Sequence, residues 1–214
     1  FKILDYFKII NTSVFKNLNL GIDPSLFTSK QIQNFFLKNN KVTIIKENLV
    51  DKISKIKSKK KSSFYSIDKS IAGESHHKKV SRVSSFLKRN KYDYLFITAP
   101  ENVAWLLNIR GYDSPTSPIP NSNLLLTKEK QVFLIVEKNK TTKLLSEKKL
   151  KQNQIIDPKY ILDFFDKLKK GTILIDEKTC SLYFEKVIEK NFKIIKKEDP
   201  IYILKSIKNN IEIK

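Results

Sequence analysis

An α/β fold around a mixed, mainly parallel sheet flanked by helices is what this 214-residue sequence predicts, and three observations predict it. Short apolar runs rich in Ile, Leu and Phe alternate with stretches whose apolar residues recur at helical spacing. Two of the runs, Asn123 to Thr127 and Gln131 to Glu137, flank Lys128-Glu129-Lys130 as a hairpin and so place an antiparallel pair in the sheet. Two distant stretches also repeat one strand-helix-strand pattern, which makes two copies of a single unit the economical reading. Helices on both faces of such a sheet give a three-layer domain.

The repeat sets the order of elements. In the first copy an apolar strand ends at Asp23, a helix follows over Ser29 to Lys38, and a second strand, Val42-Thr-Ile-Ile-Lys, leads through Glu47 into another helix. In the second copy the strand ends at Asp176, the helix covers Thr179 to Lys190, and Phe192-Lys-Ile-Ile-Lys leads through Glu198 into a terminal helix. Between them, Ser75 is an N-cap for a helix over His76 to Asn90 with Val80, Val83 and Leu87 on one face. Tyr94 to Thr98 is a strand, and Pro100 and Glu101 open a short helix that ends around Arg110-Gly111. Further helices are expected around Lys140 to Lys149 and from Pro158 to Lys169, the latter stopped by Gly171.

The polar, Lys/Ser-rich stretch from Ser54 to Gly73 is weakly periodic and reads as a connection. The expected division is therefore the C-terminal part of a first domain over 1–54, a linker over 55–73, a complete second domain over 74–208, and the start of a further link over 209–214. Methionine is absent, Phe1 opens what already reads as an ordered segment, and Ile201 to Lys214 stops without a Gly or Pro signal. The sequence reads as cut at both ends.

Composition excludes several classes of function. No apolar run approaches the roughly 20 residues needed to cross a bilayer, and no secretory leader is visible, so a soluble cytoplasmic protein without a membrane partner is expected. A net charge of +20 raises nucleic-acid binding. Against it, only Arg82, Arg89 and Arg110 among the 42 basic residues are arginine, whereas phosphate and base recognition favours the bidentate guanidinium. The lysines are spread over nearly every element, and the densest run, Lys55 to Lys61, reads as a solvated linker. No nucleic-acid partner is expected.

No Gly-rich phosphate cradle is present among the four glycines. Cys180 has no second thiol to pair with and reads as a buried spectator. His76 and His77 are adjacent on a helix, where side chains diverge by about 100°, so a surface pair is expected rather than joint metal ligation. No Ser-His-Asp or Cys-His signature supplies a catalytic centre. What remains is Trp105 to Asp113, which holds the sole Trp, and a loop stiffened by Pro115, Pro118 and Pro120. Arg110 and Asp113 are either a contact surface for another domain or a substrate, or a pair that stabilises the loop. Trp105, among Leu106 and Ile109, is expected in the core.

Those residues carry a resemblance. Tyr94-Leu-Phe-Ile-Thr, then Asn102-Val-Ala-Trp-Leu-Leu-Asn-Ile-Arg-Gly-Tyr-Asp and Pro118-Ile-Pro, resembles the middle domain of three-domain aminopeptidase P, the Xaa-Pro aminopeptidases of the creatinase and pita-bread metallopeptidase superfamily. Gly21-Ile-Asp-Pro and Glu47-Asn-Leu-Val-Asp are similar to parts of that family's first domain, Ala72-Gly-Glu-Ser to the start of its middle domain, and Leu204-Lys-Ser-Ile-Lys-Asn-Asn-Ile-Glu to the lead-in to its catalytic domain. The resemblance implies two creatinase N-terminal-like units, the first incomplete, without the pita-bread domain.

It further implies a parent enzyme, cytosolic and dimeric, that removes the first residue from peptides with proline second. Two divalent metal ions, commonly manganese, are held in such enzymes by two Asp, one His and two Glu of the catalytic domain, and a metal-activated hydroxide attacks the scissile carbonyl. None of those ligands is carried over to this sequence, so no catalytic or metal-binding residue and no bound cofactor is expected here. The implied partners are the protein's own catalytic domain, a second copy and, in the parent, a peptide substrate. Arg110, Tyr112, Asp113 and Trp105 are the candidates for the cleft or domain interface. Two alternatives stay open: a noncatalytic interaction protein built from creatinase-like domains, and a polycationic nucleic-acid binder.

Overall fold

The computed structural model describes residues 15–45, 47–53 and 63–213, and these fall into two compact units. The lysine run 55–61 and the chain's first residue lie outside the described residues. The first unit takes residues up to 53 together with Glu177–Lys186, and the second takes residues 63–176 and those from Val187 onward.

In the first unit, strands β1 (Asn19–Ile22) and β2 (Lys41–Ile44) pair in parallel, with Ile22 opposite Ile44. The helix joining them, α1, starts as an α-turn at Ser29–Gln31 and continues as a wider π-turn over Ile32–Phe36, shorter than the expected Ser29 to Lys38. Thr28 begins it with a reciprocal cap: Gln31 N donates to Thr28 Oγ1 at 3.1 Å, and Thr28 N donates to Gln31 Oε1 at 2.9 Å. Ile22, Ile32 and Phe36 form its core, with Phe27 edge-on to Phe36 at 5.2 Å. Asp23 ends β1 by accepting from Ser25 N and from Asn48 Nδ2, and α2 (Leu49–Ile53) follows. Cys180, in the added segment, is fully buried.

In the second unit the chain order is β3 (Tyr65–Ser66), α3 (Lys69–Ala72), α4 (His76–Arg89), β4 (Tyr94–Ile97), α5 (Pro100–Leu107), β5 (Ile109–Arg110), β6 (Asn123–Thr127) and β7 (Val132–Ile135). Then come α6 (Thr142–Ser146), β8 (Ile155–Ile156), α7 (Ile161–Lys167), β9 (Thr172–Ile175), α8 (Leu182–Glu189, of which the residues from Val187 on belong to this unit), β10 (Lys193–Lys196), α9 (Ile201–Ser206) and α10 (Asn210–Ile213). Six strands form one sheet in the order β10-β9-β4-β6-β7-β8. Its β10/β9, β9/β4 and β7/β8 pairs are parallel, and its β4/β6 and β6/β7 pairs are antiparallel. The mixed, mainly parallel sheet and its hairpin are therefore present as expected.

Residue alternation along the central strands builds the layers. Leu95 and Ile97 of β4, with Leu124 and Leu126 of β6, pack with Val80, Val83 and Leu87 of α4 and with Val103, Leu106 and Leu107 of α5. Phe96, one residue out of phase, meets Phe165 of α7 edge-on at 5.6 Å, and Phe165 meets Phe192 at 6.0 Å. Burying each Leu or Val of the first face stabilises the fold by about 1.5–3 kcal/mol, which ties α4 to the sheet. Among the described residues no helix is long and apolar enough to cross a membrane.

Several boundaries differ from expectation. Residues 63–73, expected as part of a linker, belong to the second unit: Phe64 is fully buried, and β3 pairs with β5, Tyr65 opposite Arg110. The polar composition of that stretch hid one buried aromatic residue. Helix α5 ends at Leu107 rather than near Gly111, because Asn108 takes the left-handed cap position with φ 51°. Gly111 has another reason to be glycine, since a Cβ there would lie 2.8 Å from the Phe64 ring and 3.0 Å from Pro120 Cα. Gly171 likewise does not stop α7, which ends at Lys167; a Cβ at Gly171 would lie 2.5 Å from an Asp93 carboxylate oxygen.

Candidate functional site

The four predicted residues occupy three neighbouring settings rather than one cluster. Trp105, on α5, is partly buried against the core. Lys79 of α4 sits over its indole, with Nζ 4.3 Å from the ring centroid, and donates to Trp105 O at 3.1 Å and to Asn108 Oδ1 at 2.7 Å. Asn108, held in its left-handed conformation, donates through Nδ2 to Glu74 O at 2.7 Å, and the Glu74 carboxylate takes Arg82 at 2.6 Å. Lys79 is only 2% exposed. Burial holds its ammonium down to about 8; Glu212 and Glu74 oppose that effect, and Arg110 and Arg82 add to it.

Arg110 points back onto α5, where its guanidinium donates to Ile109 O at 2.8 Å and to Ala104 O at 3.4 Å. Tyr65, its cross-strand partner, stacks on Tyr112 with ring centroids 5.4 Å apart, and Tyr112 is 66% exposed. The neighbouring Tyr112 side chain pushes the Tyr65 phenol up. Asp113 does not pair with Arg110. Its Oδ1 takes Lys140 Nζ at 2.8 Å, its Oδ2 accepts from Asn121 N at 2.7 Å, and both charged side chains are 16% exposed. Asp113 thus fastens the two ends of the proline loop, with help from Gly111 N donating to Pro118 O at 3.1 Å.

His76 and His77 do not diverge as expected. Their rings lie 3.8 Å apart, and His76 Nδ1 is 3.0 Å from Lys149 Nζ. Burial first, then Lys149 and His77, hold His76 down to about 4, so it is neutral at pH 7. Among the described residues no three His, Cys, Asp or Glu side chains converge to hold a metal ion.

A second polar centre lies at the carboxyl ends of β4, β9 and β10, the place where open parallel sheets present ligand-binding groups. Asp199 N donates to Asp176 Oδ2 at 3.0 Å, Asn102 Nδ2 donates to Asp199 Oδ2 at 2.8 Å, and Lys205 Nζ donates to Asn102 Oδ1 at 2.7 Å. Asp199 also accepts from Ile201 N, the first residue of α9, at 2.9 Å. Burial, with Asp176 nearby, pushes Asp199 up to about 6. Both carboxylates are 3% exposed, so this centre fixes the path of the chain after β10 and is closed to a ligand.

Sequence reasoning passed over Lys79 and the Asp176–Asp199 pair. The signal for Lys79 was its place in the apolar series 79, 83, 87 at helical spacing, where a lysine reads as an exception. Asp176 and Asp23 were legible as strand ends, but their partners Asp199 and Asn48 were not.

A family model described as Creatinase/Prolidase N-terminal domain matches residues 55–212. The chain belongs to that family. The creatinase-type chain is 28% identical over 132 residues to a protein named probable Xaa-Pro aminopeptidase P from Laccaria bicolor, covering 57% of this chain and 21% of that protein. A further 31% identity over 113 residues links it to Protein pid-5 of Caenorhabditis elegans, covering 50% of this chain and 11% of the relative. The creatinase-type chain therefore spans about a fifth or less of the length of these relatives. In fold it is similar to an X-prolyl aminopeptidase from Caenorhabditis elegans described as a cytosolic enzyme with a di-nuclear active site, with TM-score 0.78 and 21% identity over 99% of this chain and 36% of that one.

Proposed function

We propose that this chain is a noncatalytic N-terminal and middle region of a metal-dependent Xaa-Pro aminopeptidase, which shapes the substrate cleft and contributes to dimerisation. The observation that carries this reading is the family match over 55–212 together with the 28% identity to an aminopeptidase P relative. The hydrolytic chemistry is assigned to a following catalytic domain with two divalent metal ions, manganese by resemblance, and the location to the cytoplasm. The domain boundary moves in this reading: the complete second domain starts near Phe64, which is part of its core.

Tyr112 and the loop from Arg110 to Asp113 face the catalytic domain or the cleft. The exposed Tyr112–Tyr65 stack, on a loop pinned by Asp113 and Lys140, offers a rigid aromatic surface of the kind that contacts peptides. Arg110 is the cross-strand partner of Tyr65 in that surface, and Trp105 lies apart from it under Lys79.

Sequencing the transcript beyond Lys214 tests the assignment, with two Asp, one His and two Glu in a following domain as the expected result. A stop codon soon after Lys214 would move the reading to a noncatalytic interaction protein. For the loop, Tyr112→Ala in the full-length protein is expected to lower kcat/KM on Xaa-Pro peptides about 10-fold without loss of thermal stability. Unchanged kinetics would remove the loop from the cleft.

A further inference from the structure

We infer that the groove between α4 and α9 is a docking site for an acidic, amphipathic peptide segment of a protein partner. The groove is open, with a volume of about 690 Å³, and its floor and far wall are apolar: Phe86, Pro200, Ile203 and Leu204. Ile203 is 65% exposed there. The near wall is cationic. Lys78, Arg82 and Arg89 line it at i, i+4 and i+11 along α4, with Ser85 between the arginines, so the charges run as one stripe beside the apolar strip.

Two features argue for a specific acidic occupant rather than a solvated basic face. Arginine is rare in this chain, three of 42 basic residues, yet two of the three line this one groove. Lysine suffices for a solvated surface, whereas the planar guanidinium is suited to gripping a carboxylate through two hydrogen bonds. The sole carboxylate lining the groove, Glu74, is already taken by Arg82, and neither Lys78 nor Arg89 has an acidic partner among the described residues. A segment with carboxylates along one edge and aliphatic side chains at i, i+3 and i+7 satisfies both walls, in the manner of a helix laid in a groove. The net charge of +20 would speed its approach.

The groove uses none of Trp105, Arg110, Tyr112 and Asp113, the residues proposed for the cleft. Fluorescence anisotropy at physiological salt, with a labelled helical Leu/Glu peptide as probe and the 214-residue chain as target, tests it. Arg89→Glu and Ile203→Glu, both at exposed positions, are each expected to weaken binding about 10-fold or more. Lys88→Glu, on the same helix but outside the groove, is expected to change it less than about 2-fold. Equal binding of a peptide of Glu alone, or equal loss in Lys88→Glu, would reduce the site to general polycation attraction and overturn the proposal. Displacement of the peptide by decanoate at equal concentration would reassign the groove to a fatty acid. Self-association of the free chain that Ile203→Glu abolishes would reassign it to a second copy.

Discussion

Lys79 is expected to contribute stability to this protein as the pH is raised from about 7 to about 9.5. Lys79 is held at about 8 in the folded chain, against about 10.4 for a lysine in the unfolded chain. Between those values the unfolded chain binds more protons than the folded one, so stability rises with pH through that window. Below about pH 8 both forms are protonated and the whole cost of burying the charge is present; above about 10.4 it is gone. A gap of about 2.4 pH units corresponds to about 3 kcal/mol, of which about 2 kcal/mol is recovered by pH 9.5. Solvent screening at the rim of the cage, where the Arg82 side chain is 44% exposed, reduces that to about 1–2 kcal/mol. Deprotonation loses no hydrogen bond, since a neutral amine keeps two N–H groups for its two acceptors, Trp105 O and Asn108 Oδ1. Urea unfolding of the parent chain and of Lys79→Met across this range is the assay. The variant leaves Asn108 Oδ1 without a donor and Trp105 O with only the long bond from Asn108 N at 3.4 Å, so it is less stable at pH 7, and its deficit should widen by about 1–2 kcal/mol at pH 9.5. A deficit that stays constant with pH would refute the reasoning, as would a Lys79 ¹³Cε resonance that titrates near 10.4.

On the acid side His76 is the expected source of instability. The unfolded chain takes up its proton near 6.5 and the folded chain only near 4, so stability is lost as the pH falls through that window, and His76→Gln should remove about 1–2 kcal/mol of the loss seen by pH 4.5 in thermal melts. Asp199, raised to about 6, works in the opposite direction: the folded chain gains stability as the pH falls from about 6 toward 3.9, a slope that Asp199→Asn should abolish in the same melts. Asp113→Asn breaks the half-buried pair with Lys140 and should cost about 1–2 kcal/mol in urea unfolding, with non-additivity against Lys140→Met in a double-mutant cycle. Gly111→Ala pushes a methyl into Phe64 and the Pro120 backbone and should cost about 1–3 kcal/mol; a neutral result would mean that the loop yields.

Much of the fold was legible because it rests on local periodicity. The apolar face of α4, the β6–β7 hairpin and the β9-α8-β10 repeat of β1-α1-β2 each announce themselves within a short window. The boundaries were less legible where a residue's role depended on a distant partner. Asn108 rather than Gly111 ends α5, because its amide spans Lys79 and the Glu74 carbonyl, a combination that no window around residue 108 contains. Phe64 was lost among lysines and serines, because one buried aromatic residue produces no period. At the candidate site, Arg110 and Asp113 were recognised as unusual but not apportioned: three residues apart in sequence, they turn to Ala104 and Lys140 respectively.

The sequence by itself determined the layer architecture, the repeat and the family, since alternation, helical spacing and a short string of rare residues are properties of neighbours along the chain. Tertiary structure alone decided which charges are buried and what they meet. Lys79 counts as one of 42 basic residues until α4 packs on α5 and places its ammonium over Trp105. Likewise, Arg82 and Arg89 become one wall of a groove only when α9 folds back to supply the other. The physical reason is that desolvation and charge pairing depend on distance in space, which the order of residues does not specify.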